Sequence, residues 1–194
     1  MNFDQLLPIL TQKLPPRRLR HSLGVAETAV GLAKQYGGRV ETARMAGLLH
    51  DYARDLPSDT LLEVAEQAGL ITCSVERLMP DLLHGPVAAW LIPRELGIKD
   101  SEVLRAIALH TLGAEEMALL DKIIYIADAI EPGRKYPGVE YLRQLVKVDL
   151  DQALLAGYNQ TIKYCLDRNY LLHPRTILAR NTLVQILYSR VSSD

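Results

Sequence analysis

Cysteine is scarce in this chain, with Cys73 and Cys165 the only two among 194 residues. They form no CxxC pair and no zinc-ribbon spacing, which excludes a disulfide framework and makes a reducing compartment the default. Cys165 falls in a helical pattern and reads as a small core residue. An excess of either charge is also missing: 22 Lys+Arg against 23 Asp+Glu leave a formal net charge of -1. That balance carries no footprint of nucleic acid or of an anionic membrane. No apolar run reaches the roughly 18 residues needed to span a bilayer. Met1 to Leu10, interrupted by Asp4 and Pro8, lacks the basic start and long apolar core of a secretory signal. Period-two alternation, internal repeats and low-complexity tracts are absent as well. The expectation is a cytoplasmic, all-α protein.

What is present supports one domain with a full core, since hydrophobic residues make up 48% and charged residues 23%. Asp4 to Lys13 reads as a short amphipathic helix. Pro15-Pro16 launches a second that Gly37-Gly38 ends, because proline suits a first turn and glycine a stop. On it Leu19, Leu23, Ala26, Val30 and Ala33 make one apolar face, with His21 at its edge. Val40 to Ala53 is the next helix, and Gly47 within it suggests close backbone packing, since it costs about 1 kcal/mol of propensity relative to Ala. Ser58 is a candidate cap for a helix to Gly69. The stretch from there to Leu83 reads as irregular. Further helices are expected from His84-Gly85-Pro86 through Leu91, from Ser101 to His110 behind the cap Asp100, and from Glu115 to Ile130. The last three run from Gly138 to Lys147, Asp149 to Asp167 and Pro174 to about Ser189.

Five histidines are unexceptional for this length, so placement decides their reading. In Ala46-Gly47-Leu48-Leu49-His50-Asp51 an imidazole and a carboxylate stand side by side at the end of a small, apolar run. Once buried they need a charge or hydrogen-bond partner. They are either a satisfied pair near a helix end or part of a metal site. About 100° separates them around a helix, so both reach one ion only near its edge. His110 closes an apolar stripe, and Asp128 follows Leu120 and Ile124 at steps of four. Each group alone fits a capping or core role; jointly they demand too many separate partners. Imidazole and carboxylate without thiolate suit catalytic iron, manganese, zinc, cobalt or nickel rather than a structural zinc site. The basic cluster Lys13, Arg17, Arg18 and Arg20 is either a solvated helix start or an attractor of phosphate.

Five strings in order carry a resemblance. Arg20-His21-Ser22-Leu23-Gly24-Val25-Ala26, the segment 46–51, Leu82-Leu83-His84-Gly85-Pro86, Leu109-His110-Thr111, and Ala127-Asp128-Ala129-Ile130-Glu131-Pro132-Gly133-Arg134 together resemble an HD-domain metallophosphohydrolase. Their wording is similar to the YqeK-type branch, the symmetrical bis(5'-nucleosyl)-tetraphosphatases. The resemblance implies a single HD-domain helical bundle over 1–194, with its motif core at about 17–134. It implies that His21, His50, Asp51 and Asp128 hold one metal, iron in this branch. His84 and His110 would serve a second ion bridged by Asp51, or bind phosphate directly, which makes Asp51, His84 and His110 the catalytic candidates.

The implied reaction is attack of a metal-activated water on diadenosine tetraphosphate, giving two ADP. Another nucleotide ester, or a nucleotide sensor without turnover, is the alternative on the same fold. Gly24, Arg54, Asp55, Arg134, Tyr170, His173 and Arg175 are the candidate substrate contacts. Arg54 departs from the family, in which many members have lysine three residues beyond the aspartate; it is a phosphate ligand or a solvent-exposed residue. Asp55 either supports a ligating histidine or makes a helix-end salt bridge. His173 contacts a nucleoside or simply enters the final helix. The expected partner is a dissolved dinucleoside polyphosphate, not DNA, RNA or a membrane, with a homodimer left open.

Overall fold

Pro15-Pro16 and Gly37-Gly38 bracket the longest helix: it runs Pro16–Tyr36, and Gly37 closes it in the left-handed conformation at φ 73°. The computed structural model describes Met1 and residues 3–191. Among the described residues there are eleven α-helices, one 3-10 turn and no strand. They are α1 Phe3–Lys13, α2 Pro16–Tyr36, α3 Val40–Leu49, α4 Ser58–Gln67, α5 Ser74–Leu78, the 3-10 turn Pro80–Leu83, α6 His84–Glu95, α7 Ser101–Leu109, α8 Leu119–Ile130, α9 Val139–Leu145, α10 Leu150–Asp167 and α11 Pro174–Val191.

The all-α expectation holds, and several boundaries move for identifiable reasons. α3 ends at Leu49 rather than Ala53, where the backbone tightens into Tyr52 N–H to Leu49 carbonyl (3.0 Å) and Arg54 N–H to Asp51 carbonyl (3.0 Å) bonds. Ser58 is the first residue of α4 and makes no cap bond. The stretch read as irregular holds α5 and the 3-10 turn. There Glu76 reaches back to accept from the Thr72 and Cys73 amides at 2.5 and 3.1 Å, a helix start that follows no apolar periodicity. α6 continues past Leu91 to Glu95. α8 begins at Leu119 rather than Glu115, because Asp121 accepts the Ala118 amide at 2.8 Å and sets the start of the helix. Asp100 and Asp149 cap α7 and α10, each accepting two amides.

α2, α3, α7 and α8 pack against one another at the centre, with α6 on α7 and α10 on α8. One apolar cluster runs through them, from Leu6 and Leu10 in α1 to Ala179 and Leu183 in α11. Two glycines let the central helices approach. A Cβ on Gly47 would lie 2.8 Å from the Ala26 Cα, and one on Gly85 would lie 2.8 Å from the Ile107 carbonyl. The first contact draws α3 onto α2 and the second draws α6 onto α7. Both glycines lie close in sequence to a histidine, so close packing and histidine placement are linked.

Gly47→Ala therefore sets a gain of about 1 kcal/mol in helix propensity against an overpacking cost of about 1–3 kcal/mol at a backbone contact. The expected outcome is net destabilisation, read as a lower urea midpoint. A raised midpoint would show that α2 and α3 part without cost.

Candidate metal centre

His21 stands one turn into α2, His50 caps the C-terminus of α3, and Asp51 follows in the tight turn. Ending the helix at Leu49 is what lets neighbouring residues 50 and 51 turn into one space. His84 opens α6, His110 follows the last residue of α7, and Asp128 lies in the last turn of α8. All six converge. Nε2 of His21 is 2.9 Å from Oδ1 of Asp128, 3.2 Å from Nε2 of His50 and 3.7 Å from Oδ2 of Asp51. Nε2 of His50 is 3.5 Å from that Asp51 oxygen and 3.7 Å from Oδ1 of Asp128. Around an ion with bonds of 2.0–2.2 Å, neighbouring ligand atoms stand about 3.0–3.5 Å apart, so these separations fit a divalent metal.

The other oxygen of Asp51 faces a second group. Its Oδ1 is 3.3 Å from Nε2 of His84 and 3.8 Å from Nε2 of His110, and those two nitrogens are 2.9 Å apart. Asp51 is thus shared between two sets of ligand-type atoms. The Thr111 hydroxyl joins the second set, 3.2 and 3.1 Å from the same nitrogens.

Hydrogen bonds on the far side of each ring fix which nitrogen is free. Nδ1 of His50, His84 and His110 faces the carbonyl three residues back, Gly47 at 2.8 Å, Asp81 at 2.5 Å and Ile107 at 2.7 Å. A carbonyl only accepts, so each Nδ1 carries the proton and each Nε2 presents a lone pair. Nδ1 of His21 faces Oε1 of Glu131 at 3.1 Å and its Nε2 faces Oδ1 of Asp128 at 2.9 Å, so, against burial, the two carboxylates raise its pKa, and a metal at Nε2 would take the place of that proton. Four imidazole Nε2 atoms therefore point inward, three of them fixed as lone pairs, the orientation that metal ligation requires.

The electrostatics agree. Burial alone would disfavour the Asp51 carboxylate, but His50, His84 and His110 around it outweigh burial and hold its pKa far below the usual range. Burial likewise opposes ionisation of Asp128, and the His21 hydrogen bond with the fields of His50 and Arg134 overcomes it. Burial, reinforced by His84 and His50, pushes His110 down to about 3, so its ring is neutral.

Arginines surround this core, each resting on a carboxylate. Arg18 bonds Oδ2 of Asp51 at 2.7 Å and Oδ2 of Asp55 at 3.1 Å; the basic cluster of the sequence pointed toward it without separating it from Arg17 and Arg20. Asp55 thus meets an arginine rather than a histidine. Arg54 pairs with Asp81 at 3.2 Å, next to the carbonyl that holds His84. Arg134 donates to the Asp128 carbonyl at 2.8 Å and to its carboxylate. Lys122 is engaged with Asp151 at 2.6 Å. Gly24 faces Glu131, whose Oε2 lies 2.8 Å from where a Cβ would stand.

The loop before α11 does something different. Tyr170, 48% exposed, stands edge-on to Tyr164 with centroids 6.0 Å apart. His173 is buried beside Cys73 and Glu76, its Nε2 3.4 Å from the Cys73 Sγ and 3.2 Å from Oε1 of Glu76. These three are ligand types close enough to share an ion. The tautomer argues otherwise: Nδ1 of His173 accepts the Arg175 amide at 3.1 Å, so Nε2 carries the proton and donates it to Glu76. This cluster is a hydrogen-bonded joint that ties the start of α11 to α5. Thr176 adds a bond to the Leu112 carbonyl at 3.1 Å, beside Thr111.

A family model described as the HD domain matches residues 18–133. The chain is 37% identical over 184 residues to a Bacillus subtilis protein named bis(5'-nucleosyl)-tetraphosphatase, symmetrical, covering 95% of this chain and 98% of that one. A Staphylococcus aureus protein of the same name is 35% identical, covering 91% and 92%. The crystal structure of a Clostridium acetobutylicum protein, described as a predicted HD superfamily hydrolase involved in NAD metabolism, superposes with a TM-score of 0.91 at 43% identity, covering 95% of this chain and 98% of that one.

Asp51→Ala removes the carboxylate common to both ligand sets. Metal per chain, measured by atomic spectrometry, is expected to fall to background while helical circular dichroism is retained; retained metal would dissolve the site. The joint at His173 has its own signature. Burial lowers its pKa, and Glu76 only partly offsets this. A histidine held neutral stabilises the fold fully above its unfolded pKa of about 6.5 and progressively less as pH falls toward the folded value. His173→Ala should therefore cost about 1–3 kcal/mol near neutral pH, and measurably less at about pH 5 in urea unfolding. An equal cost at both would rule out the neutral-ring joint.

Proposed function

The chain belongs to the HD-domain family, and we propose that it is a metal-dependent hydrolase that cleaves diadenosine tetraphosphate symmetrically into two ADP. The observation that carries this reading is Asp51, shared between two sets of inward-facing imidazoles in a chain so like the symmetrical tetraphosphatases over nearly its full length. His21, His50, Asp51 and Asp128 would hold one ion, and Asp51, His84 and His110 a second ion or a phosphate. Imidazole with carboxylate suits iron, with manganese, cobalt, nickel or zinc as replacements.

A bound metal supplies charge neutralisation at phosphorus and a water acidified enough to attack near neutral pH. The remaining work belongs to the protein's own groups. His110 stays neutral and so offers a lone pair rather than a repelling charge. Cleavage breaks the central phosphoanhydride: water oxygen joins one inner phosphorus, and the bridging oxygen leaves with the other ADP. That leaving oxygen and the non-bridging oxygens gather negative charge, which Arg18, Arg54 and Arg134 stand close enough to the ligand sets to offset. Their positive charge is permanent, unlike that of a buried lysine. Tyr170, His173 and Arg175 fit this reading less directly, because His173 is committed to Glu76.

Residues 1–194 act as one unit in this reading, with the helices after residue 134 completing the bundle around the motif core. No helix among the described residues is long and apolar enough to cross a membrane. A cytoplasmic enzyme acting on a dissolved nucleotide is consistent with that and with the balanced charge.

The test is product analysis. Purified protein incubated with diadenosine tetraphosphate should yield ADP as the sole product by anion-exchange chromatography. AMP together with ATP would exclude symmetrical cleavage. Absence of turnover after metal is restored would replace the enzyme with a nucleotide sensor, and turnover only on other nucleotides would make it a nucleotidase or phosphodiesterase.

A further inference from the structure

Three of the four converging histidines end a helix or open one, and each anchors Nδ1 on a backbone carbonyl three residues back. His21 has no such option. It lies inside α2, where the carbonyls of the preceding turn are taken by the helix ladder. Its Nδ1 instead faces Oε1 of Glu131, which is 110 residues away in sequence. Glu131 itself is 6% exposed, and its Oε2 accepts the Gly133 amide at 2.5 Å. A carboxylate buried to this degree requires such partners.

The surroundings are shaped to the carboxylate. A Cβ on Gly24 would lie 2.8 Å from Oε2 of Glu131, and a Cβ on Gly133 would lie 2.9 Å from Oε1. Gly24 is one turn after His21 on α2, on the side that meets the end of α8. The same end of α8 supplies Asp128, whose Oδ1 is 2.9 Å from Nε2 of His21. The segment Asp128 to Arg134 therefore touches His21 from both edges: Asp128 at Nε2, Glu131 at Nδ1.

We propose that Glu131 is the positioning residue of the metal centre, holding His21 in the Nδ1-protonated tautomer and aiming its Nε2 lone pair at the ion, and that residue 24 is glycine because the Glu131 carboxylate fills the space of its Cβ. The proposal rests on the metal-centre reading. Glu131 faces the outer nitrogen of His21 rather than the converging atoms, so it acts through His21. Residue 24 thereby becomes a packing position rather than a substrate contact.

The test uses the full chain stripped of metal and titrated with cobalt(II), read by its visible absorption, with no need for activity. Glu131→Ala is expected to weaken cobalt binding by about 10- to 100-fold, the usual loss on removing the outer partner of a ligating histidine. Glu131→Gln should lose less, because its amide oxygen still accepts from Nδ1. Gly24→Ala should weaken binding in the same sense, since the new methyl displaces the carboxylate. Gly31→Ala is the control on the same helix, with nothing within 4 Å of its Cβ, and should bind like the parent. Parent-like affinity and spectrum in Glu131→Ala, or in Gly24→Ala, would overturn the proposal while leaving the metal centre in place. If the parent protein itself fails to bind cobalt(II), the metal-centre reading falls and this proposal with it. Should Glu131→Ala lose its helical signal, Glu131→Gln and Gly24→Ala decide by the same criteria.

Discussion

A carboxylate buried among imidazoles is the constraint on which the rest of this protein depends. Asp51 is 4% exposed and lies between His21 and His50 on one side and His84 and His110 on the other. Such a group is costly to bury without compensation. His50, His84 and His110 each commit Nδ1 to a backbone carbonyl and turn Nε2 toward Asp51, while burial holds His110 neutral. Arg18 offsets part of the charge from one side. A divalent ion is a partner that suits four inward imidazole nitrogens and two carboxylates at once. The tight turn at His50-Asp51 and the glycine contacts that draw helices together follow from the need to make those groups meet.

The four histidines share one solution and differ in how they reach it. At a helix end a ring folds back onto a free carbonyl of its own chain, so helix termini make inexpensive sites for a ligating imidazole. Placing one in mid-helix requires a distant carboxylate and small residues to admit it. His173 shows the reverse arrangement, with an amide donating to Nδ1 and the proton turned to a carboxylate. Tautomer, set by the ring's outer partner, separates a metal centre from a structural joint built of similar residues.

Arginines form the next layer. Arg18 and Arg134 rest on the two converging carboxylates, Asp51 and Asp128, and Arg54 rests on Asp81, whose carbonyl holds His84. Such pairs keep positive charge near the centre without leaving it unpaired. The helices beyond the HD-matched span contribute here as well, since His173 and Thr176 fasten α11 to elements next to His84 and His110.

The sequence by itself determined the helical class, the longest helix between Pro15-Pro16 and Gly37-Gly38, the cap at Asp100, and the six groups that converge in the candidate metal centre. These are local matters: proline, glycine and side-chain caps act within a turn or two, and histidine-aspartate wording survives as short strings. It suggested a packing role for Gly47, and the structure identified Ala26 as its neighbour. Only the tertiary structure decided that α3 stops at Leu49, that Glu76 organises the stretch before Leu83, and that His173 is engaged elsewhere. It alone brought Glu131 to His21 and filled the space beside Gly24. Those outcomes depend on contacts between residues up to 110 positions apart, and no periodicity along one helix carries information about which atom another helix will bring to meet it.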